Sequence, residues 1–177
     1  KYRNPQGETK FIKTVISYLT KQHKITIIDG GYNKCEWTND IIKYATPINI
    51  FAYELSRNTY MKYKDNYESS QINVNILHKG LYSKNTNIKL RESHVDADQG
   101  YNLFEYLYDS NEQNKKKMKT KDAKEKKVVN LVELVKLEDD IQNYKNEISS
   151  TKLIVKLDVE GSEYEALLGM KSLFQHD

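Results

Sequence analysis

The sequence predicts an α/β fold of three layers, a mostly parallel sheet with helices on both faces. Three observations carry this. A β-branched run, Thr26-Ile27-Ile28, ends in Asp29-Gly30-Gly31 and is followed by a helical stretch. A second apolar run, Ile48-Asn49-Ile50-Phe51-Ala52-Tyr53, ends in Glu54. A third, Leu153-Ile154-Val155-Lys156-Leu157, ends in Asp158 ahead of another helical stretch. Apolar strands alternating with helices are the pattern of βαβ units on a parallel sheet.

Each element follows in order. Phe11, Ile12, Val15, Ile16 and Leu19 recur at three- and four-residue spacing, so residues 9 to 22 are expected to be helical. The first strand spans 25–29, and Trp37 to Tyr44 reads as the crossover helix, ended near Pro47. The second strand is 48–54, Asn58 to Asn66 reads as a helix, and Val74-Asn75-Ile76-Leu77 is the third strand. A polar turn, Ser83-Lys84-Asn85-Thr86, leads to 87–91, read as a hairpin partner. Val128 to Val135 resumes strand character, and Leu137-Glu138-Asp139-Asp140-Ile141 starts a helix. The fourth core strand is 153–158, and a helix from Glu163 to Phe174 follows, with Tyr164, Leu167, Leu168 and Leu173 on its apolar side. Right-handed crossovers then order the strands third, second, first, fourth, all parallel.

Composition narrows the function classes. A length of 177 residues suits a single domain, 1–177, with a real core. Basic residues number 28 and acidic 25, so no global field marks a nucleic-acid binder. No apolar run reaches the roughly 18 residues of a membrane span, and no signal peptide is visible. The single Cys35 excludes an internal disulfide and a cysteine-built zinc site. It fits a reducing compartment, and a cytoplasmic location is the expectation. Residues 109–127 carry eight lysines and no apolar period, the composition of a solvated, flexible insertion. A tether to anionic membrane or nucleic acid is the alternative for this run.

The strand ends carry the chemistry. Glycines without Cβ let backbone approach a ligand closely. An acid ending the second strand, Glu54, can accept hydrogen bonds from both hydroxyls of a ribose. Strand, glycine turn, helix, strand, acid therefore points to an adenosine-containing cofactor. The spacing G-x-G-x-x-G of dinucleotide binders is missing after Gly31, which disfavours a NAD-dependent oxidoreductase.

Three blocks together resemble one family. They are Ile28-Asp29-Gly30-Gly31-Tyr32-Asn33, Ala52-Tyr53-Glu54, and Lys156-Leu157-Asp158-Val159-Glu160-Gly161-Ser162-Glu163. They resemble the FkbM-type methyltransferases. The last block is the most specific, and Val135-x-Leu137-x-Asp139-Asp140 looks like that family's V-x-T-L-D-D lead-in. The resemblance covers roughly residues 25 to 174. It implies a Rossmann-like fold, S-adenosylmethionine (SAM) as methyl donor, and an oxygen acceptor on a sugar or other small hydroxylated molecule. Two positions depart from the family's D-x-G-A-N-x-G turn: Tyr32 stands for a small residue and Cys35 for the last glycine. A complete sheet of this type continues for three more strands, so the domain is expected to be incomplete at its C-terminus.

The resemblance also implies roles. Gly30 and Gly31 would bring backbone to the methionyl part of SAM, Asp29 would orient that end, Asn33 would bind its carboxylate, and Glu54 would hold the ribose. Asp158 would face the methyl group, with Glu160 or Glu163 binding acceptor hydroxyls or acting as base. His78 and His94 are alternative bases, and no metal is expected. Each role has a purely structural counterpart, such as a tight glycine turn or, for Glu163, an acid favoured in a first helical turn. A non-catalytic binding module on the same fold is the alternative function.

Overall fold

The computed structural model describes residues 5–68, 70–93 and 127–174. Among them the strands are β1 (Ile25–Gly30), β2 (Asn49–Tyr53), β3 (Asn73–Leu77), β4 (Lys79–Leu81), β5 (Thr86–Ser93), β6 (Lys127–Val135) and β7 (Lys152–Leu157). The main sheet runs β3-β2-β1-β7 with every neighbouring pair parallel, the order the sequence predicts. Asp29 lies opposite Ala52 on one side and Lys156 on the other, while Gly30 faces Tyr53 and Leu157. That register brings the carboxyl ends of all the main-sheet strands to one edge.

Both faces of the sheet are covered because β1 is apolar on both sides. Side chains alternate across a strand. Ile25 and Ile27 therefore pack with Ile12, Ile16, Trp37 and Ile41 of the helices on one face. Ile28 joins Phe51, Tyr53, Leu137, Ala166 and Met170 on the other. Fully burying one such side chain contributes about 1.5–3 kcal/mol. The result is the Rossmann-like α/β/α arrangement. The N-terminal helical run is Pro5–Phe11, a wider π-type turn at Ile12–Ile16, then Ser17–Gln22. Residues Ile12 and Ile16, one turn apart, are fully buried.

Two expectations are corrected. The segment 87–91 is not paired across the Ser83–Thr86 turn. Instead β5 pairs antiparallel with β6, and β4 pairs parallel on the other side of β6, giving a second sheet β4-β6-β5. The reason is burial: Ile88 and Leu90 meet Val132 and Leu134 in a small core of their own. The last helix is also shorter, Glu163–Leu168, with a separate turn at Lys171–Phe174. Gly169 sits at the break, where a Cβ would lie 1.9 Å from the Tyr82 carbonyl oxygen. The loop after β4 thus crosses directly over the helix end.

The helix after β2 spans Arg57–Tyr63, capped by Ser56, whose hydroxyl accepts from the Thr59 N–H at 3.2 Å. The lysine-rich insertion lies outside the described residues apart from Lys127, which opens β6. No described helix is long and apolar enough to cross a membrane.

Candidate functional site

A cleft opens at the carboxyl edge of the main sheet, bounded by Gly31 and Asn33 after β1, Glu54 after β2, and Asp158 and Glu160 after β7. Such an edge is where open α/β sheets bind ligands. Five of the residues singled out from sequence therefore meet there. Asp29, Gly30, Glu163 and His78 do not line it, and His94 lies outside the described residues.

Asp29 is fully buried beneath the turn. Its carboxylate accepts from Thr38 Oγ1 at 2.7 Å and from Lys156 Nζ at 2.9 Å. The same ammonium also donates to the Gly31 carbonyl at 2.8 Å and the Gly30 carbonyl at 3.3 Å. A buried charge must be paired and hydrogen-bonded to be tolerated, and this pair achieves it while tying β7 to the glycine turn. The lysine of the K-x-D-V-E-G block is thus a structural tether.

Gly31 has a φ of 82°, and a Cβ there would lie 2.1 Å from the Asp158 carbonyl oxygen. The glycine is needed because the turn after β1 abuts the turn after β7. Tyr32 and Cys35, the two departures from the family pattern, point away from the cleft. Both are buried with Ala52 in a small cluster against Tyr63, Tyr67 and Ile76. Cys35 adopts a left-handed φ of 58°, where glycine is favoured. Its sulfur accepts from the side-chain amides of Asn39 at 3.5 Å and Asn66 at 3.4 Å.

Glu54 is buried and bridges the two loops. It accepts from the Asn33 N–H at 2.8 Å and the Ser56 N–H at 2.7 Å. On the facing wall Asp158 is exposed and Glu160 half-buried, with a left-handed φ of 50° at Glu160. Glu163 Oε1 accepts from the Gly161 N–H at 3.2 Å, which turns it back onto its own loop. His78 stacks on Tyr60 with ring centroids 5.2 Å apart.

One group went unread in the sequence. Lys79 lines the cleft and donates to Asp140 Oδ1 at 2.7 Å, with Glu133 at 3.4 Å. Asp140 is nearly buried and accepts a second bond from the Tyr53 hydroxyl at 2.8 Å. Burial, and then the Asp140 charge, pushes the Tyr53 phenol well above its ordinary range. Burial pulls the Lys79 ammonium down, but the hydrogen bond and charge of Asp140, with Glu133, hold it above its ordinary value. The only local hint was Asp140 within the V-x-L-x-D-D block. Nothing in the sequence links it to Tyr53 and Lys79.

No match to a curated protein or to a solved structure accompanies these features. The family model of the methyltransferase FkbM domain matches residues 29–177. That span begins at the buried Asp29, takes in the glycine turn and Glu54, and includes the whole Lys156–Glu163 block. The chain therefore belongs to the FkbM methyltransferase family.

Proposed function

We propose that the cleft binds SAM and that the protein methylates an oxygen of a small hydroxylated acceptor, a carbohydrate being the leading class. The observation that carries this is the placement of Glu54. Its carboxylate sits at the end of β2, between the amides of Asn33 and Ser56, on the rim of a cleft whose far wall is acidic. When bound, SAM supplies an electrophilic methyl group on a sulfonium. The main demand on the protein is then positioning. Glu54 accepts the ribose hydroxyls, and the Asn33 side chain supplies a donor at the glycine turn. Asp158, exposed in the opening, takes the proton of the acceptor hydroxyl, and Glu160 beside it orients that hydroxyl.

Calorimetric titration with S-adenosylhomocysteine and with NAD tests the reading. Binding of S-adenosylhomocysteine and none of NAD is expected. Binding of NAD alone, or of neither, would overturn it.

A further inference from the structure

We propose that Asp140, which lies behind the cleft and does not line it, is a positioning residue that fixes the end of β2 and with it the cofactor-binding edge. This rests on the SAM reading above. Asp140 closes the short helix Leu137–Asp140 after β6 and is buried. One carboxylate oxygen accepts from the Tyr53 hydroxyl at 2.8 Å. The other accepts from Lys79 Nζ at 2.7 Å, with the Asn143 side-chain amide at 3.4 Å. Glu133 also pairs with Lys79 at 3.4 Å, so the charge of that lysine is matched within the protein. Tyr53 ends β2 in the main sheet, and Lys79 begins β4 in the second. The two strands share no ladder, so the Asp140 carboxylate is a polar bridge between the sheets where the cleft opens.

Tyr53 is where that bridge meets the site. Its carbonyl accepts from the Gly31 and Tyr32 N–H groups, both at 3.1 Å, so the glycine turn hangs on the Tyr53 backbone. The next residue is Glu54, which holds the Asn33 N–H at 2.8 Å. β4 packs directly against this segment: a Cβ on Gly80 would lie 2.8 Å from Leu55 Cδ1. Tyr53 is buried, so its hydroxyl needs an acceptor inside the protein. Asp140 supplies it, and the place of the phenol fixes that of the peptide carrying both the turn and Glu54. The Val135-x-Leu137-x-Asp139-Asp140 block thereby acts on the cofactor edge from outside the cleft.

The test combines amide hydrogen exchange without ligand and titration with S-adenosylhomocysteine. Asp140→Asn keeps the shape but leaves one oxygen to accept where two did, and Tyr53→Phe removes the hydroxyl alone. Each should speed exchange at Gly31 and Tyr32 about 5-fold or more beyond any change at Ile27 and Ile28, the scale of one hydrogen bond. Each should weaken S-adenosylhomocysteine about 5-fold or more in fully folded protein, within the range for coupling carried through packed groups. The double variant should bind as the weaker single one does, because both break one tie. Tyr53→Phe removes no charge, so it decides the matter if Asp140→Asn does not fold. Exchange that rises equally at all four amides, or wild-type affinity in the folded variants, would overturn the assignment. A wild type that binds no S-adenosylhomocysteine would sink the SAM reading, and the exchange pattern alone would then uphold or overturn the hold of Asp140 on the turn.

Discussion

At the scale of the residue, side chains of the glycine turn and of the K-x-D-V-E-G block divide between holding the edge together and facing the cleft. Lys156 and Asp29 do the first. Lys156→Met strands a fully buried carboxylate, so it should cost about 3–5 kcal/mol in denaturant unfolding. The double variant Lys156→Met/Asp29→Asn should recover much of that loss; if it is as unstable as the single one, the pair is not the source. Cys35 illustrates a different balance. Glycine there would relieve the left-handed backbone but lose the contacts of its sulfur with Asn39 and Asn66. Cys35→Gly should therefore leave stability within about 1 kcal/mol, while Cys35→Val, β-branched at positive φ, should cost about 1–3 kcal/mol. Equal melting of the two variants would mean that the backbone there is not strained. Glu54 belongs to the cleft. Glu54→Ala should weaken S-adenosylhomocysteine by about 1–3 kcal/mol, with unfolding measured alongside because Glu54 also holds two amides. Unchanged affinity in a folded variant would remove the ribose from this residue.

At the scale of the element, the C-terminal turn is pinned to the helix that follows β6. Glu138 accepts from the Ser172 N–H at 2.9 Å and pairs with the Lys136 ammonium. The Lys136 ammonium, then Ser172, pulls its carboxyl from an ordinary value near 4.5 down to about 2. A carboxylate with a lowered folded value stabilises the protein fully above its unfolded value and loses that contribution as pH falls through the folded one. The pin should therefore weaken between about pH 4.5 and pH 2. Urea midpoints of wild type and Glu138→Gln should differ at pH 6 and converge toward pH 2; a constant gap would place the acid sensitivity elsewhere. The second sheet shows what local pattern leaves hidden. β4 has three residues, and its partner is set by Lys79 lying opposite Glu133, far along the chain. No period within Lys79–Leu81 announces that pairing. Gly169 closes the last helix, as the leucine-rich stretch ending there suggests, but the Tyr82 carbonyl against it belongs to a distant loop that no local pattern shows.

At the scale of the whole molecule, the main sheet was legible because its four strands are apolar runs joined by helices, and crossover handedness leaves one compact order. The cleft was partly legible for the same reason. A parallel sheet collects strand ends at one edge, so Gly31, Asn33, Glu54, Asp158 and Glu160 had to meet there. What stayed hidden depends on partners far apart in sequence. Asp29 is 127 residues from Lys156, and Lys79 is 61 from Asp140, and only the folded chain reveals either pair. The most direct test of the central claim is amide chemical-shift mapping by two-dimensional NMR during titration with S-adenosylhomocysteine. Binding at the carboxyl edge predicts that the largest shifts fall on Gly31, Asn33, Glu54, Gly80 and Asp158 to Ser162. Saturable shifts confined to the Lys152–Leu157 strand and the Glu163–Leu168 helix, or no saturable shifts at all, would contradict it.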